Sequence, residues 1–206
     1  GHVSVPIFPT LTAETVRYIL EHSESKLLFV GKLDAVWDEM KPGVPDGLPQ
    51  IAFPLSPDKE HDKWDDIIAK SEPMAETVER APDEMATIIY TSGSTGKPKG
   101  VMHDFATTLA CTKGIAEVIG FNSQDRYLSY LPIAHGLERW LGEHVVVYAG
   151  GHVFYAESLD TFVQDLQRCR PTLFMSVPRL WMKFQLGVFK KMPPEKLAKM
   201  LRIPIL

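Results

Sequence analysis

Residues 86–100 read ATIIYTSGSTGKPKG, an apolar segment followed by a loop of glycines, hydroxyl side chains and lysines. The apolar part, residues 86–90, predicts a buried strand because β-branched and aromatic residues favour strands. A helix is predicted after the loop, over residues 104–119. The glycines permit backbone conformations that leave N–H groups pointing into one concavity. Since hydroxyl and backbone donors satisfy phosphate oxygens while lysine neutralises their charge, the loop predicts a nucleotide polyphosphate site.

Two other interpretations of this loop are weaker. A flexible Gly/Ser linker seldom follows a buried strand or contains Lys-Pro-Lys. The Walker phosphate loop requires G-x-x-x-x-G-K-[ST], whereas Gly96 and Lys97 are followed by Pro98 here. The loop therefore argues against a Walker-type kinase or GTPase.

Around the loop, predicted strands alternate with predicted helices. The strands are residues 3–8, 27–30, 50–53, 86–90, 126–131, 152–155 and 172–177. The other helices are one capped by Thr12, residues 34–40, 59–70 and 135–147, one capped by Ser158, and one that begins at Pro178. This order predicts an α/β fold, a layered and mostly parallel sheet with helices on its faces. Ligands of such sheets bind beyond the carboxyl ends of the strands.

The same pattern divides the chain into two segments. Residues 1–85 form a first α/β segment with a Pro-rich connection, and residues 86–206 form a second α/β segment with the phosphate loop. The first segment is acidic and the second is basic, but the basic residues form no run. Nucleic acid is therefore a weaker expectation than a small phosphorylated ligand.

Composition excludes several classes of protein. At 45% hydrophobic and 23% charged residues, the chain is neither disordered nor a coiled coil. Its longest nearly apolar stretch, residues 145–156, is too short to cross a membrane. Cys111 and Cys169 lack a CxxC or His-rich partner motif, which predicts buried thiols in a reducing compartment, the cytoplasm, without a disulfide or zinc site.

A second informative stretch, residues 131–139, reads LPIAHGLER and lies at a predicted strand end. From spacing alone, His135 is either a site residue or a capping histidine at a helix start. Glu138 shares a helical face with His135, but the metalloprotease pattern H-x-x-E-H requires histidine where Arg139 stands. The aromatic residues Trp140, Trp181 and Phe184 are expected in the core rather than in a ligand tunnel.

The loop resembles the phosphate loop of the adenylate-forming superfamily, whose pattern is [ST]-[ST]-G-[ST]-T-G-x-P-K-G. Every fixed position matches between Thr91 and Gly100, and Lys97 fills the variable position. The resemblance implies an ATP site made by Thr91, Ser92, Gly93, Ser94, Thr95, Gly96 and Lys99. It also implies that Thr91 is a neighbour of the ATP-bound Mg²⁺ and that Lys99 takes part in catalysis.

Residues 131–139 are similar to the LPxxHxxER block of long-chain acyl-CoA synthetases. This similarity implies that His135 is a catalytic residue beside the acyl carboxylate and the path of the thiol acceptor. Residues 1–31 and 171–181 also look like stretches of that family. The whole chain is therefore expected to be an internal part of the large N-terminal domain, without the C-terminal lid domain.

The activity implied by the resemblance has two steps. A fatty acid and ATP give an acyl-adenylate and pyrophosphate, and coenzyme A then displaces AMP to give acyl-CoA. Two alternatives stay open: a fatty acyl-AMP ligase or adenylation domain that supplies a carrier protein, and a non-catalytic nucleotide-binding module. The expected partners are the small molecules ATP, fatty acid and coenzyme A. No transmembrane segment is expected, while peripheral membrane contact and the oligomeric state are left open.

Overall fold

The structure, a computed structural model, describes residues 1–92 and 96–203 of the chain. Its strands are β1 (Leu28–Val30), β2 (Gln50–Ala52), β3 (Asp62–Lys63), β4 (Met85–Thr91), β5 (Lys99–Asp104), β6 (Arg126–Ser129) and β7 (His152–Tyr155). Its α-helices are α1 (Ala13–His22), α2 (Val36–Met40), α3 (Trp64–Lys70), α4 (Phe105–Ile119), α5 (Val146–Ala149), α6 (Phe162–Cys169), α7 (Pro178–Lys191) and α8 (Pro194–Met200). A 3₁₀ turn (Lys41–Gly43) follows α2, and a π-helix (Glu138–Val145) runs directly into α5.

The first half of the chain contains a small parallel sheet in the order β1–β2–β3. Helix α1 begins after Thr12, whose side-chain oxygen accepts from the Thr15 N–H. Its predicted apolar face is buried, and the core continues through α2. Buried residues of this core are Val16, Leu20, Val30, Trp37, Met40 and Val44. The predicted cap, apolar face and returning strand are therefore confirmed.

The phosphate loop joins two strands of an antiparallel hairpin. Strand β4 pairs with β5, and Thr91 lies opposite Lys99 in that register. The sequence predicted that the loop leads directly into a helix, which is wrong because β5 intervenes. Helix α4 begins only after Asp104, whose carboxylate accepts from the Thr107 N–H at 2.6 Å. The hairpin fixes the two ends of the loop side by side.

The second half of the chain packs its helices around β6 and β7, which pair in parallel. The π-helix, α5 and α4 bury a core that includes Tyr127, Leu141 and Val145. The α/β class is confirmed, and in the described residues the strands form three small sheets, two parallel and one antiparallel. No helix in residues 1–92 and 96–203 has the length and apolarity required to span a bilayer.

Two predicted strands are absent from the described residues. In residues 3–8, only Ser4 forms a bridge, to Thr87, because the Pro6 that follows lacks the N–H that a ladder requires. Residues 172–177 also form no strand, although the Thr172 N–H donates to the Arg126 carbonyl. Each stretch therefore contacts a strand through backbone hydrogen bonds at one position without forming a ladder.

Several helix boundaries and burial predictions also differ. The helix predicted over residues 59–70 begins at Trp64, and the one predicted over residues 135–147 begins later and contains a π-helical stretch. Ser158 does not cap α6 directly, because its hydroxyl accepts from the Thr161 N–H in a turn that precedes the helix. Both cysteines are free, Cys169 buried as predicted but Cys111 exposed. Trp181, expected in the core, is exposed on α7.

Candidate functional site

A cavity of about 540 Å³ lies between the phosphate loop and the block that carries His135. Five parts of the chain line it: the extended segment after Ser4, α1, β4 with the loop flanks, β5, and the turn that leads into the π-helix. Lining residues are Pro6, Phe8, Leu11, Ile19, Ile89, Tyr90, Thr91, Ser92, Pro98, Val101, His103, Ala134, His135, Gly136 and Trp140. The fold thus brings two motifs that are about forty residues apart in sequence to one cavity.

The flanks of the phosphate loop border this cavity. Thr91 and Ser92 are exposed at the carboxyl end of β4, and Lys99 is exposed at the start of β5. Gly96 has a φ of +89°, a conformation that favours glycine. Gly93, Ser94 and Thr95, three further predicted ATP contacts, lie outside the described residues.

Helix α1 supports the base of the loop through aromatic side chains. The Tyr90 hydroxyl and His22 Nδ1 are hydrogen-bonded at 2.7 Å, and burial raises the pKa of Tyr90. The Lys97 ammonium lies 5.6 Å from the centroid of the Tyr18 ring, a cation–π distance. The Lys97 ammonium therefore lies against α1. Lys99, two residues later, is the first residue of β5.

The orientation of the His135 ring is set by its own backbone turn. The Leu137 N–H donates to His135 Nδ1 at 3.2 Å. Because a backbone amide can only donate, Nδ1 must be the acceptor, and the neutral ring carries its hydrogen on Nε2. The main chain is fixed as well, since the His135 N–H donates to the Pro132 carbonyl at 2.8 Å. The imidazole thus offers a defined N–H donor at the cavity wall.

Glu138 is a buried acid directly behind this wall. The Tyr127 hydroxyl and the Leu131 N–H each donate to its Oε2 at 3.3 Å. Among the described residues its Oε1 has no hydrogen-bond partner. Gly142 makes room for the carboxyl, because a Cβ there would overlap Oε1. Burial raises the pKa of Glu138, and burial followed by the nearby Glu138 raises the pKa of Tyr127.

The raised pKa of Glu138 predicts a pH-dependent stability. The folded protein binds the Glu138 proton more tightly than the unfolded chain does. The protein therefore loses stability as the pH rises from 4.5, the ordinary pKa of the group, through the pKa in the folded state. In Glu138→Gln the free energy of unfolding should lack this slope. Between pH 5 and pH 8 the wild type should therefore lose stability relative to the variant.

Urea unfolding at both pH values measures this difference. The matched control is Glu117→Gln, since Glu117 is exposed on α4 and its loss removes one carboxylate without changing the core. A wild type and Gln variant with parallel pH profiles would contradict the burial account of Glu138.

Two lining residues were not predicted from the sequence. His103 on β5 packs edge-on against Trp140, with ring centroids 5.1 Å apart. Trp140 was expected in the core, but it is half-buried and lines the cavity. Strand β5 was not predicted from the sequence. Without that strand, nothing in the sequence placed His103 near the site.

A second cavity, of about 630 Å³, contains none of the predicted site residues. It is lined by Arg126, Phe154, Gln164, Gln167, Arg168, Cys169 and Arg170. The Arg126 guanidinium donates to the Cys169 and Arg170 carbonyls and so satisfies the end of α6. Of the three arginines that line this cavity, Arg126 therefore has a structural role.

A metal ion has few protein ligands in the part of the chain that the structure describes. There, no three His, Cys, Asp or Glu side chains come together in a way that could hold one. The hydroxyls of Thr91 and Ser92 can supply oxygen ligands at the site, whereas the Tyr90 hydroxyl is bonded to His22. Such a site fits Mg²⁺, which is usually held by one or two protein oxygens together with substrate phosphates.

Comparison with protein families gives a direct result. A family model described as AMP-binding enzyme matches residues 1–203. The chain belongs to this AMP-binding enzyme family. The phosphate-loop resemblance that the sequence suggested is thereby confirmed at the level of the family.

Relatives of this AMP-binding chain are acyl-CoA synthetases by name. Long chain acyl-CoA synthetase 6, peroxisomal, from Arabidopsis thaliana is 34% identical over 204 residues, which cover 91% of this chain and 28% of that protein. Fatty acyl-CoA synthetase A from Dictyostelium discoideum is 33% identical over 201 residues, covering 88% and 29%. The chain thus spans less than a third of the length of these curated relatives.

Solved structures support the fold of the AMP-binding chain. A benzoate CoA ligase from Burkholderia xenovorans LB400 superposes with a TM-score of 0.72 at 20% identity, covering 87% of this chain and 35% of that one. Apo MatB from Rhodopseudomonas palustris superposes with a TM-score of 0.67 at 23% identity, covering 88% and 35%. The predicted α/β architecture agrees with the fold of these neighbours.

Proposed function

We propose that this chain is part of an ATP-dependent long-chain fatty acid–CoA ligase. The observation that carries the proposal is the single cavity bordered by Thr91 and Ser92 on one side and by His135 on the other. An enzyme that joins a carboxylate to the α-phosphorus of ATP needs both substrates at one place. The names of the relatives, long chain and fatty acyl-CoA synthetases, support the substrate class.

The nucleotide would bind at the hairpin loop. Thr91, Ser92 and the loop backbone would donate to phosphate oxygens, and the Lys99 ammonium would neutralise their charge. Mg²⁺, held by the phosphates with Thr91 as its protein neighbour, would supply further neutralisation of the phosphate charge. Gly93, Ser94, Thr95 and Gly96 complete the proposed ATP site.

The acyl group would occupy the apolar part of the cavity. Pro6, Phe8, Leu11, Val101 and Trp140 supply its apolar lining. A volume of about 540 Å³ lies within the range of roughly 300–1,000 Å³ found for ligand sites. The carboxylate would then face the polar end, where the His135 Nε2–H can donate a hydrogen bond.

The chemistry requires alignment more than acid or base catalysis. A carboxylate oxygen attacks the α-phosphorus, the bond to the bridging oxygen of pyrophosphate breaks, and pyrophosphate leaves with the electron pair. The thiolate of coenzyme A then attacks the acyl carbon and AMP leaves. Lys99 and the loop hydroxyls would hold the departing phosphates, and His135 would orient the acyl group.

Two alternatives make different products. An adenylation domain that supplies a carrier protein would release acyl-adenylate slowly and transfer the acyl group to a carrier thiol. A non-catalytic nucleotide-binding module would bind ATP without turnover. The names of the relatives favour coenzyme A as the acceptor. A cytoplasmic location stays a prediction, since one of these relatives is named as peroxisomal.

Identification of the products distinguishes these functions. The complete protein is incubated with ATP, Mg²⁺, coenzyme A and saturated fatty acids of increasing length, and products are identified by mass spectrometry. Long-chain acyl-CoA and AMP in equal amounts are expected. Acyl-adenylate that accumulates with coenzyme A present would indicate a carrier-dependent ligase, and the absence of both products would indicate a binding module.

A further inference from the structure

We propose that Arg139 is a positioning residue that holds the His135 wall of the cavity at a fixed distance from the phosphate-loop strand. The proposal deepens the proposed function and rests on it. Arg139 belongs to the LPIAHGLER block, but neither nucleotide binding nor the placement of the acyl group gives it a role. Its side chain is 10% exposed, which is low for an arginine, and specific partners are needed to hold its charge there.

The guanidinium bridges the π-helix and the N-terminal segment. Its Nη1 donates to Glu143 Oε2 at 2.8 Å, one turn further along the same helix. Its Nη2 donates to the Ser4 Oγ at 2.5 Å, across 135 positions of sequence. A lysine has one nitrogen and could not reach both partners with the same geometry.

Ser4 connects the Arg139 guanidinium to β4 through hydrogen bonds. Because an arginine can only donate, the Ser4 hydroxyl hydrogen turns away and donates to Thr87 Oγ1 at 3.0 Å. Thr87 in turn donates to the Ser4 carbonyl at 2.8 Å. The backbone adds two bonds, since the Ile88 N–H donates to the Ser4 carbonyl and the Ser4 N–H to the Ala86 carbonyl. Thr87 is 1% exposed whereas Ser4 is exposed, so water is excluded from the Thr87 side of this network only.

The two ends of this network reach the two walls of the cavity. At one end, Thr87 lies on the same strand as Thr91, which borders the loop. At the other end, the Arg139 N–H donates to the His135 carbonyl at 3.0 Å. Glu138, the neighbouring residue, fixes the same turn to β6 through Tyr127 and the Leu131 N–H. Loss of the guanidinium would remove the link from the His135 turn to β4 through Ser4, while the bonds to β6 and the contact of Trp140 with His103 remain.

The kinetic test uses Arg139→Met and Arg139→Lys in the complete protein. Misplacement of a reacting group by about 1 Å can lower a reaction rate about a hundredfold. The kcat for fatty-acid-dependent ATP–pyrophosphate exchange should therefore fall about 10- to 100-fold in both variants. KM for ATP should change by less than about threefold, because the loop contacts remain. Ser4→Ala removes only the hydroxyl that Nη2 contacts and should reproduce part of the loss in a folded protein. In the double variant, the fold decrease in kcat should be smaller than the product of the decreases in Ser4→Ala and Arg139→Met.

Arg126→Met is the matched control. Arg126 is also a partly buried arginine, and its guanidinium donates to backbone carbonyls. It does not line the cavity that contains His135. Its loss should lower the melting temperature while leaving kcat within about threefold of the wild type. If Arg126→Met reduced kcat as much as Arg139→Met at matched stability, Arg139 would be a stabilising residue only.

An activity-independent readout separates this inference from the proposed function. In ¹⁵N-histidine-labelled protein, the His135 ring should report the Nε2–H form with Nδ1 as acceptor, and Arg139→Met should shift or broaden that signal. Arg126→Met should leave it unchanged. If the wild type shows no acid-dependent exchange, the proposed function fails, and this spectrum still decides the positioning role. An unchanged His135 signal in folded Arg139→Met or Ser4→Ala would overturn the inference.

Discussion

Replacement of Lys99 by alanine is expected to lower acid-dependent ATP–pyrophosphate exchange by about one to two orders of magnitude. Lys99 lies directly opposite Thr91 in the hairpin, so the two side chains leave their strands on the same face. The proposed phosphate site therefore includes both side chains. A charge-assisted hydrogen bond contributes roughly 1.5–3 kcal/mol, and each 1.4 kcal/mol corresponds to about tenfold in rate or affinity. Steady-state exchange with saturating fatty acid measures the effect.

Lys97→Ala is the matched control for this prediction. Lys97 carries the same charge two positions earlier, but its ammonium lies over the Tyr18 ring of α1. Its loss removes a cation–π contact of about 0.5–1 kcal/mol and should therefore reduce exchange by less than about tenfold. Equal losses in the two variants, or a larger loss at Lys97, would contradict the assignment of Lys99.

Replacement of His135 by alanine is expected to slow acyl transfer to coenzyme A by about 10- to 100-fold while leaving ATP affinity nearly unchanged. The Leu137 N–H fixes the ring so that Nε2 is the donor at the cavity wall. Without the ring, the acyl group loses that orienting hydrogen bond, whereas the loop flanks keep their contacts. A thioester assay measures transfer, and isothermal titration with ATP measures affinity.

His135→Gln serves as the companion variant. Its amide retains an N–H donor, so it should lose less activity than the alanine variant. If ATP affinity falls sharply in a folded His135→Ala protein, His135 belongs to the nucleotide site and not to the acyl site.

Local features of the fold could be predicted because short-range chemistry determines them. Thr12 caps α1, and the apolar spacing of Val16, Ile19 and Leu20 places that helix on the core. Strand β4 was recognised from its apolar residues. Strand β5 was missed because its sequence, KGVMHD, begins inside the phosphate motif and lacks a continuous apolar run. The extended segment after Gly1 looked like a strand, yet Pro6 cannot donate to a ladder.

The site was predictable in its parts but not in its assembly. Both motifs are visible in the sequence, and each follows a predicted strand. Their meeting in one cavity depends on long-range contacts such as Ser4 with Thr87 and Arg139 with Ser4, which span 83 and 135 positions. No local pattern encodes those pairs. The widened π-helix that carries Glu138 and Arg139 also depends on packing, since the sequence predicts only a helix there.

The most direct measurement of the central claim is ATP–pyrophosphate exchange by the complete protein with and without a long-chain fatty acid. A fatty alcohol of the same length is the control, since it fills an apolar cavity but has no carboxylate to attack the α-phosphorus. We expect exchange with the acid and none with the alcohol or with ATP alone. Exchange that is independent of the acid, or no exchange with acids of any length in a folded protein that binds ATP, would contradict the account.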